Sequence, residues 1–123
     1  MSISDYLEQK WLDMLSGTAF TAPAGTWIQL HTGDPLDTGT NAVATNNTRK
    51  ALTWSAAATP AGTKAITSTL PSWSVTTPEI YTHWSIWDLS SAGNCLWTGA
   101  LSSSATVANG DTFQISALTL TLD

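Results

Sequence analysis

Charged side chains are scarce in this sequence. They make up 11% of the 123 residues, whereas ordinary soluble domains carry about 25%. Only four residues are lysine or arginine, and the formal net charge is −5. Nucleic acids and anionic membranes are both recognised by clustered cations, and Arg49 and Lys50 form the sole adjacent pair. We therefore expect no nucleic-acid partner and no membrane partner.

Cysteine and long apolar runs are nearly absent as well. The single cysteine, Cys95, cannot form a disulfide within the chain, and no Cys/His spacing typical of zinc sites occurs. We predict that Cys95 is buried as a small apolar residue. No apolar run approaches the ~20 residues of a membrane span, and the first residues lack the basic and apolar regions of a secretion signal. We expect a protein that is made in the cytoplasm and stays soluble or assembles there.

Catalytic and metal-binding motifs are missing too. The sequence has no Gly-x-Ser-x-Gly elbow and no phosphate-binding loop. His31, Asp34 and Asp37 follow no known ligand spacing, and Asp34–Pro35 is typical of a turn. His31 and His83 would supply two metal ligands if their strands paired, but the sequence indicates no third ligand. We expect no catalytic residue, no cofactor and no metal, and hence no enzymatic activity.

Tryptophan, by contrast, is abundant, with seven residues. Three of them lie in the alternating runs 82–88 and 95–101, which flank a Gly/Asn/Ser-rich turn at 89–94. Two alternating runs around such a turn predict a β-hairpin. We expect this hairpin to be the centre of the core, with Trp84 and Ile86 pointing inward, because one tryptophan can bury about 150–250 Å².

One segment, residues 4–15, predicts an amphipathic helix. Ser4 is a suitable N-cap, and Gly17 can supply the left-handed residue that follows a helix. The apolar stripe packs either on the sheet of the same domain or on a neighbouring subunit. We divide the chain into residues 1–17, as an attachment or oligomer element, and a β-domain at 18–123. The stripe consists of Leu7, Trp11, Met14 and Leu15.

The remainder predicts short strands separated by turns every 8–15 residues. Such spacing favours a mainly β fold, an antiparallel β-sandwich or small barrel of about seven strands. Residues 58–62 predict a turn. The long loop 33–47 is a candidate contact with an underlying shell, because loops of this length are usually functional. Besides the hairpin, strands are predicted at 26–32, 49–57, 64–70, 112–115 and 118–122.

Three parts of the chain carry a resemblance to a known family. They are GTAFTAP at 17–23 with WIQLHTGDP at 27–35, RKALTW at 49–54, and the run from WSIWD at 84–88 through WTGAL at 97–101 to NGDTF at 109–113. In this order they resemble small virion proteins of tailed bacteriophages, variously labelled tail fibre, minor tail or capsid decoration proteins. The resemblance implies a β-rich virion subunit with no catalytic residues.

Three hypotheses about function follow. The first is a capsid decoration, or cement, protein that binds across subunits of the major capsid protein. The alternative is a tail or tail-fibre component, bound to tail proteins, with a receptor-binding or sugar-binding surface. The third is an isolated sugar-binding module or an enzyme with an unrecognised site. We favour cement, because fibres that reach a host usually have long coiled or repeated shafts, which this chain lacks.

The low charge and the many tryptophans also predict self-association. A monomer would expose neutral and aromatic surface with little charge to prevent aggregation. We therefore expect a homo-oligomer, a trimer by analogy with cement proteins. Trp27, Trp73 and Trp87 have polar neighbours on their strands, which makes them candidates for sugar stacking or for interfaces. The full set of interface candidates is Leu7, Trp11, Met14, Leu15, Trp27, Trp73 and Trp87.

Overall fold

The computed structural model describes residues 2–56, 62–67 and 69–122. Within them the chain forms one helix and nine strands, so the predicted helix and mainly β class are confirmed. The turn predicted at 58–62 lies almost entirely outside the described residues. In order, the elements are β1 (Ser2–Ile3), α1 (Asp5–Leu15), β2 (Thr26–His31), β3 (Lys50–Leu52), β4 (Thr63–Ala65), β5 (Ser72–Ser74), β6 (Glu79–Trp87), β7 (Cys95–Val107), β8 (Thr112–Gln114) and β9 (Thr119–Thr121).

The predicted hairpin forms the middle of the main sheet. Strands β6 and β7 pair antiparallel around the turn, and the five-stranded sheet has the order β1-β7-β6-β2-β3. Ladder hydrogen bonds hold β6 on both sides, against β7 and β2. β7 continues beyond the predicted run as far as Val107 and contains an irregularity opposite Thr82.

Antiparallel pairing also organises the smaller sheets, β4 with β9 and β5 with β8. One hydrophobic cluster joins β5 and β8 to the main sheet, and Phe113 lies edge-on to Tyr81 at 5.1 Å between ring centroids. The main sheet does not close on itself, since β1 and β3 are its two edge strands. The arrangement is therefore sandwich-like, and the barrel alternative does not apply.

The two faces of the main sheet are both buried. On one face Leu30 lies opposite Trp84 and Ile28 opposite Ile86, and all four side chains belong to the core, as predicted for the hairpin. Strands buried on only one face would show polar residues on the other face in contact with water. Here the other face is covered, which the alternation of the sequence did not indicate.

The cover on the second face is the 33–47 loop. Pro35 and Gly39 in this loop are buried, and Val43 forms an isolated bridge with His31 of β2. A Cβ at Gly39 would lie 2.5 Å from Cys95 Sγ, so the loop backbone lies directly on β7. The loop is therefore a layer of the fold.

The helix is capped as its sequence predicts. The Ser4 hydroxyl accepts a hydrogen bond from the Leu7 amide at 3.3 Å, and the same hydroxyl donates to the carbonyl oxygen of Cys95. Ser16 ends the helix and Gly17 follows with φ +92°. Because β1 precedes the helix and pairs with β7, the N-terminal end of this segment is tied to the main sheet. In the described part of the chain, no helix is long and apolar enough to span a membrane.

Candidate interaction surface

The second half of α1 carries the most exposed apolar side chains of this segment. Leu12, Met14 and Leu15 are 65%, 44% and 85% exposed, and we call these three residues the apolar ridge. Leu7 and Trp11 pack instead against the core of the same domain. The predicted stripe is therefore divided between two environments. The stripe predicted from the sequence did not include Leu12, although its position three residues before Leu15 places the two on one helix face.

The predicted tryptophan surface is largely internal. Trp73 is 1% exposed: its indole Nε1 donates to the carbonyl oxygen of Thr48 at 2.7 Å, and its ring lies 6.0 Å from Phe113. Trp87 is 6% exposed, and Trp27 is half-buried. The expectation that Trp73 and Trp87 present exposed rings is wrong. Trp73 packs in the core beside Phe113, whereas Arg49 and the 33–47 loop cover Trp87. Neither ring is free to stack on a sugar.

Arg49 covers the ring of Trp87. Its guanidinium carbon lies 3.9 Å from the ring centroid, a cation–π contact. Its Nε donates to Gln29 Oε1 at 2.8 Å, and its Nη1 donates to the carbonyl oxygens of Leu89 and Ala92 at 3.0 and 2.6 Å. Because Leu89 and Ala92 lie in the turn of the central hairpin, Arg49 fixes this turn against the sheet.

A buried polar chain runs beneath the 33–47 loop. His31 is fully buried; its Nδ1 lies 2.8 Å from the carbonyl oxygen of Asn41, and its Nε2 lies 2.7 Å from Ser85 Oγ. Trp87 Nε1 donates to the same hydroxyl at 2.7 Å. Burial lowers the pKa of His31 below its ordinary 6.5. His31 and His83 lie opposite each other in the paired strands, but both ring nitrogens of His31 are already engaged.

The single thiol is buried as predicted. Cys95 is 4% exposed, and burial raises the pKa of its thiol to about 11. A reactive thiol is partly exposed with a lowered pKa, so Cys95 packs as an apolar side chain. In residues 2–56, 62–67 and 69–122 no group of three or more His, Cys, Asp or Glu side chains could hold a metal ion.

A neutral groove of about 420 Å³ lies between β7 and the segment 113–119. Its walls combine apolar side chains with hydroxyl groups, and none of the lining residues is charged. The lining includes Trp84, Leu101, Ser102, Phe113, Ser116 and Leu118.

Comparison with known proteins confirms the resemblance over nearly the whole chain. The family model for the Podophage GP4 fiber I protein gp80 matches residues 2–123. The chain belongs to this family. A search of curated proteins finds no match.

Membership in a phage fibre family makes the protein a virion component and confirms the predicted phage virion class. It also favours the tail-fibre alternative over the capsid decoration hypothesis preferred from the sequence. Repeats and heptads are features of the shaft of a fibre, so their absence from this chain does not exclude a smaller domain of a fibre. The apolar ridge and the neutral groove are two exposed surfaces of this fibre-family protein.

Proposed function

We propose that this protein is a structural component of a phage tail fibre and acts by binding alone. The match of a fibre-family model to residues 2–123 carries this proposal. It takes the place of capsid decoration as the preferred function. The proposed partners are tail proteins and further copies of the chain, joined in the virion during assembly in the host cytoplasm, with no nucleic-acid or membrane partner.

The buried polar groups support binding without catalysis. A general base needs a ring nitrogen that can reach a substrate, and both nitrogens of His31 face protein atoms instead. A nucleophilic cysteine needs an accessible thiolate, whereas Cys95 is buried with its pKa raised to about 11. Neither group is therefore accessible for chemistry at the surface.

The apolar ridge is the proposed contact with another copy, in a homotrimer. Leu12 and Leu15 are 65% and 85% exposed on a chain with few charges to keep copies apart. Contacts of this kind are weakly screened by salt. We expect the double substitution Leu12→Ser/Leu15→Ser to leave the melting temperature nearly unchanged and to reduce the oligomer measured by light scattering.

A matched control is Leu89→Ser, which removes a leucine that is 50% exposed but lies outside the ridge. This variant should keep the oligomeric mass of the unmodified protein. If the unmodified protein has the mass of a 13.0 kDa monomer at tens of micromolar, self-association in solution is contradicted.

The location in the virion is tested by labelling. Purified virions are treated with a gold-tagged antibody against the protein and viewed by electron microscopy. Gold on the fibres supports the proposal. Gold distributed over the head refutes it in favour of capsid decoration. Virions assembled with the Leu12→Ser/Leu15→Ser variant are labelled in the same way, and a loss of gold would show that incorporation uses the apolar ridge.

A further inference from the structure

His31 connects the sheet to the 33–47 loop through a series of hydrogen bonds. A carbonyl oxygen only accepts, so Nδ1 of His31 carries the proton and donates to Asn41. Nε2 is then the acceptor for the Ser85 hydroxyl, which itself accepts from Trp87 Nε1. Every donor in this hydrogen-bond series has an acceptor only while the His31 ring is neutral. We call His31, Ser85, Trp87 and the Asn41 carbonyl the His31 latch.

The loop that the latch holds is strained. Leu36 and Ala42 have φ values of +58° and +48°, in the left-handed region that residues other than glycine rarely adopt. Strained backbone persists only where surrounding contacts hold it in place. Here the Thr32 amide donates to the carbonyl oxygen of Ala42 at 2.9 Å, next to the Asn41 carbonyl that binds His31.

We propose that protonation of His31 releases the 33–47 loop from the sheet, so that this loop is an acid-sensitive cover. The inference rests on the latch and the loop backbone and is independent of the fibre assignment. A proton on Nε2 would point at the Ser85 oxygen, whose own proton would lose its acceptor. An unpaired donor and a cation would then both be buried where His31 and Ser85 are 0% exposed.

Charged and titratable groups lie around the His31 ring on each element packed against it. His83 on β6 and Arg49 before β3 both oppose a second positive charge at His31. The loop contributes the carboxylates of Asp34 and Asp37, which line a cavity of about 300 Å³ beside His83. Both are engaged outside the latch, since Asp34 accepts from the Leu36 amide and Asp37 from the Ser2 hydroxyl.

The direction of the effect follows from linkage. Burial lowers the pKa of His31 in the closed protein, and the carbonyl oxygens of Asn41 and Ala42 offset this only in part. When the loop opens, the ring meets water and its pKa returns toward 6.5. Below that pH His31 is protonated in the open state and stays neutral in the closed state. The ratio of open to closed protein therefore rises by up to about tenfold for each unit by which the pH falls. Above that pH the ratio is constant.

Cys95 provides the readout, because it is the single cysteine of the chain and the loop backbone at Gly39 lies on its sulfur. The native protein is treated with 4,4′-dithiodipyridine, which reacts with thiols in mild acid, between about pH 7.5 and about pH 5. Each rate is divided by that of the urea-unfolded protein at the same pH, which removes the intrinsic pH dependence of the thiol. We expect the normalised rate to rise below about pH 6.5 by up to about tenfold per pH unit.

The two histidines of the chain form a matched pair of variants. His83→Gln should keep the rise in normalised rate, and His31→Gln should abolish it, whatever its rate at neutral pH. A flat profile in the unmodified protein, or a rise that survives in His31→Gln, overturns the proposal.

Amide hydrogen exchange on the unmodified protein covers the case in which His31→Gln does not fold. After correction for intrinsic rates, the amides of Asn41 and Ala44, which bond to Pro35 and Leu30, should lose protection as the pH falls. Amides in the β6–β7 ladder should stay protected. Equal loss in both places would mean global unfolding and would overturn a local release.

Discussion

Gly99 and Trp84 face each other across the central hairpin, and their packing predicts a change of sign in a mutational series. The two residues are register partners in β6 and β7. A Cβ built on Gly99 would lie 2.8 Å from Cε2 and 2.9 Å from Cη2 of the Trp84 indole. The ring therefore lies across the glycine, and Trp84 is 4% exposed, so it has little room to move away.

The expected effect of Gly99→Ala on stability has opposite signs in the two backgrounds. With Trp84 present, Gly99→Ala forces the ring aside at about 1–3 kcal/mol, partly offset by about 0.5–1 kcal/mol because alanine suits a strand better than glycine. Trp84→Ala alone should cost about 3–5 kcal/mol through the cavity it leaves, against a total stability of about 5–15 kcal/mol. In that background Gly99→Ala should stabilise, because only the propensity gain remains.

The assay is urea unfolding of the four proteins of this cycle, followed by circular dichroism. Ala100→Gly, at the exposed neighbouring position, is the control that measures the propensity difference alone. If Trp84→Ala does not fold, Trp84→Leu provides a milder background. Additive free energies, with Gly99→Ala destabilising equally in both backgrounds, would refute the placement of the ring on the glycine.

Three further predictions concern the contacts that tie loops and helix to the sheet. Ser4→Ala removes the cap of Leu7 and the bond to the Cys95 carbonyl and should lower the unfolding free energy by about 1–3 kcal/mol; an unchanged thermal melt would contradict this. Arg49→Met should cost about 1–3 kcal/mol and speed amide exchange at 88–94, and Arg49→Lys should not restore protection because lysine lacks the forked donors. With a pKa raised from 9.0 to about 11, the Cys95 thiol should react with iodoacetamide at pH 8 about a hundredfold more slowly in the folded protein than in urea; similar rates would show that the thiol is accessible.

Local patterns were enough to predict the helix and the central hairpin. Ser4 and Gly17 supply the capping chemistry of a helix start and end, and the structure places α1 between them. At the turn the prediction is accurate to one residue, since β6 ends at Trp87 and β7 begins at Cys95, but β7 continues six residues beyond its predicted end. Such features depend on interactions between residues close in the chain, which a single sequence records directly.

The environment of each face could not be predicted in this way. Trp84 and Trp87 lie in the same strand, and their side chains point to opposite faces of the sheet. Alternation therefore predicts one buried ring and one exposed ring. The structure buries both, since the 33–47 loop and Arg49 cover the second face. The covering segments are far away in the chain and are polar or rich in small residues, so no local signal connects them to these side chains.

Composition and local pattern predicted the class of the protein: β-rich, with a capped N-terminal helix, low charge, a single buried cysteine and a phage virion resemblance that the family match confirms. Which apolar residues stay exposed depends on long-range packing and could be read only from the folded protein. Leu7 and Leu15 belong to one helical stripe, yet Leu7 is 8% exposed and Leu15 is 85% exposed. Contact between α1 and the core ends at Trp11, and Leu12, Met14 and Leu15 beyond it stay exposed. Helical periodicity depends on residues close in the chain, so it carries no information about where a packing partner ends.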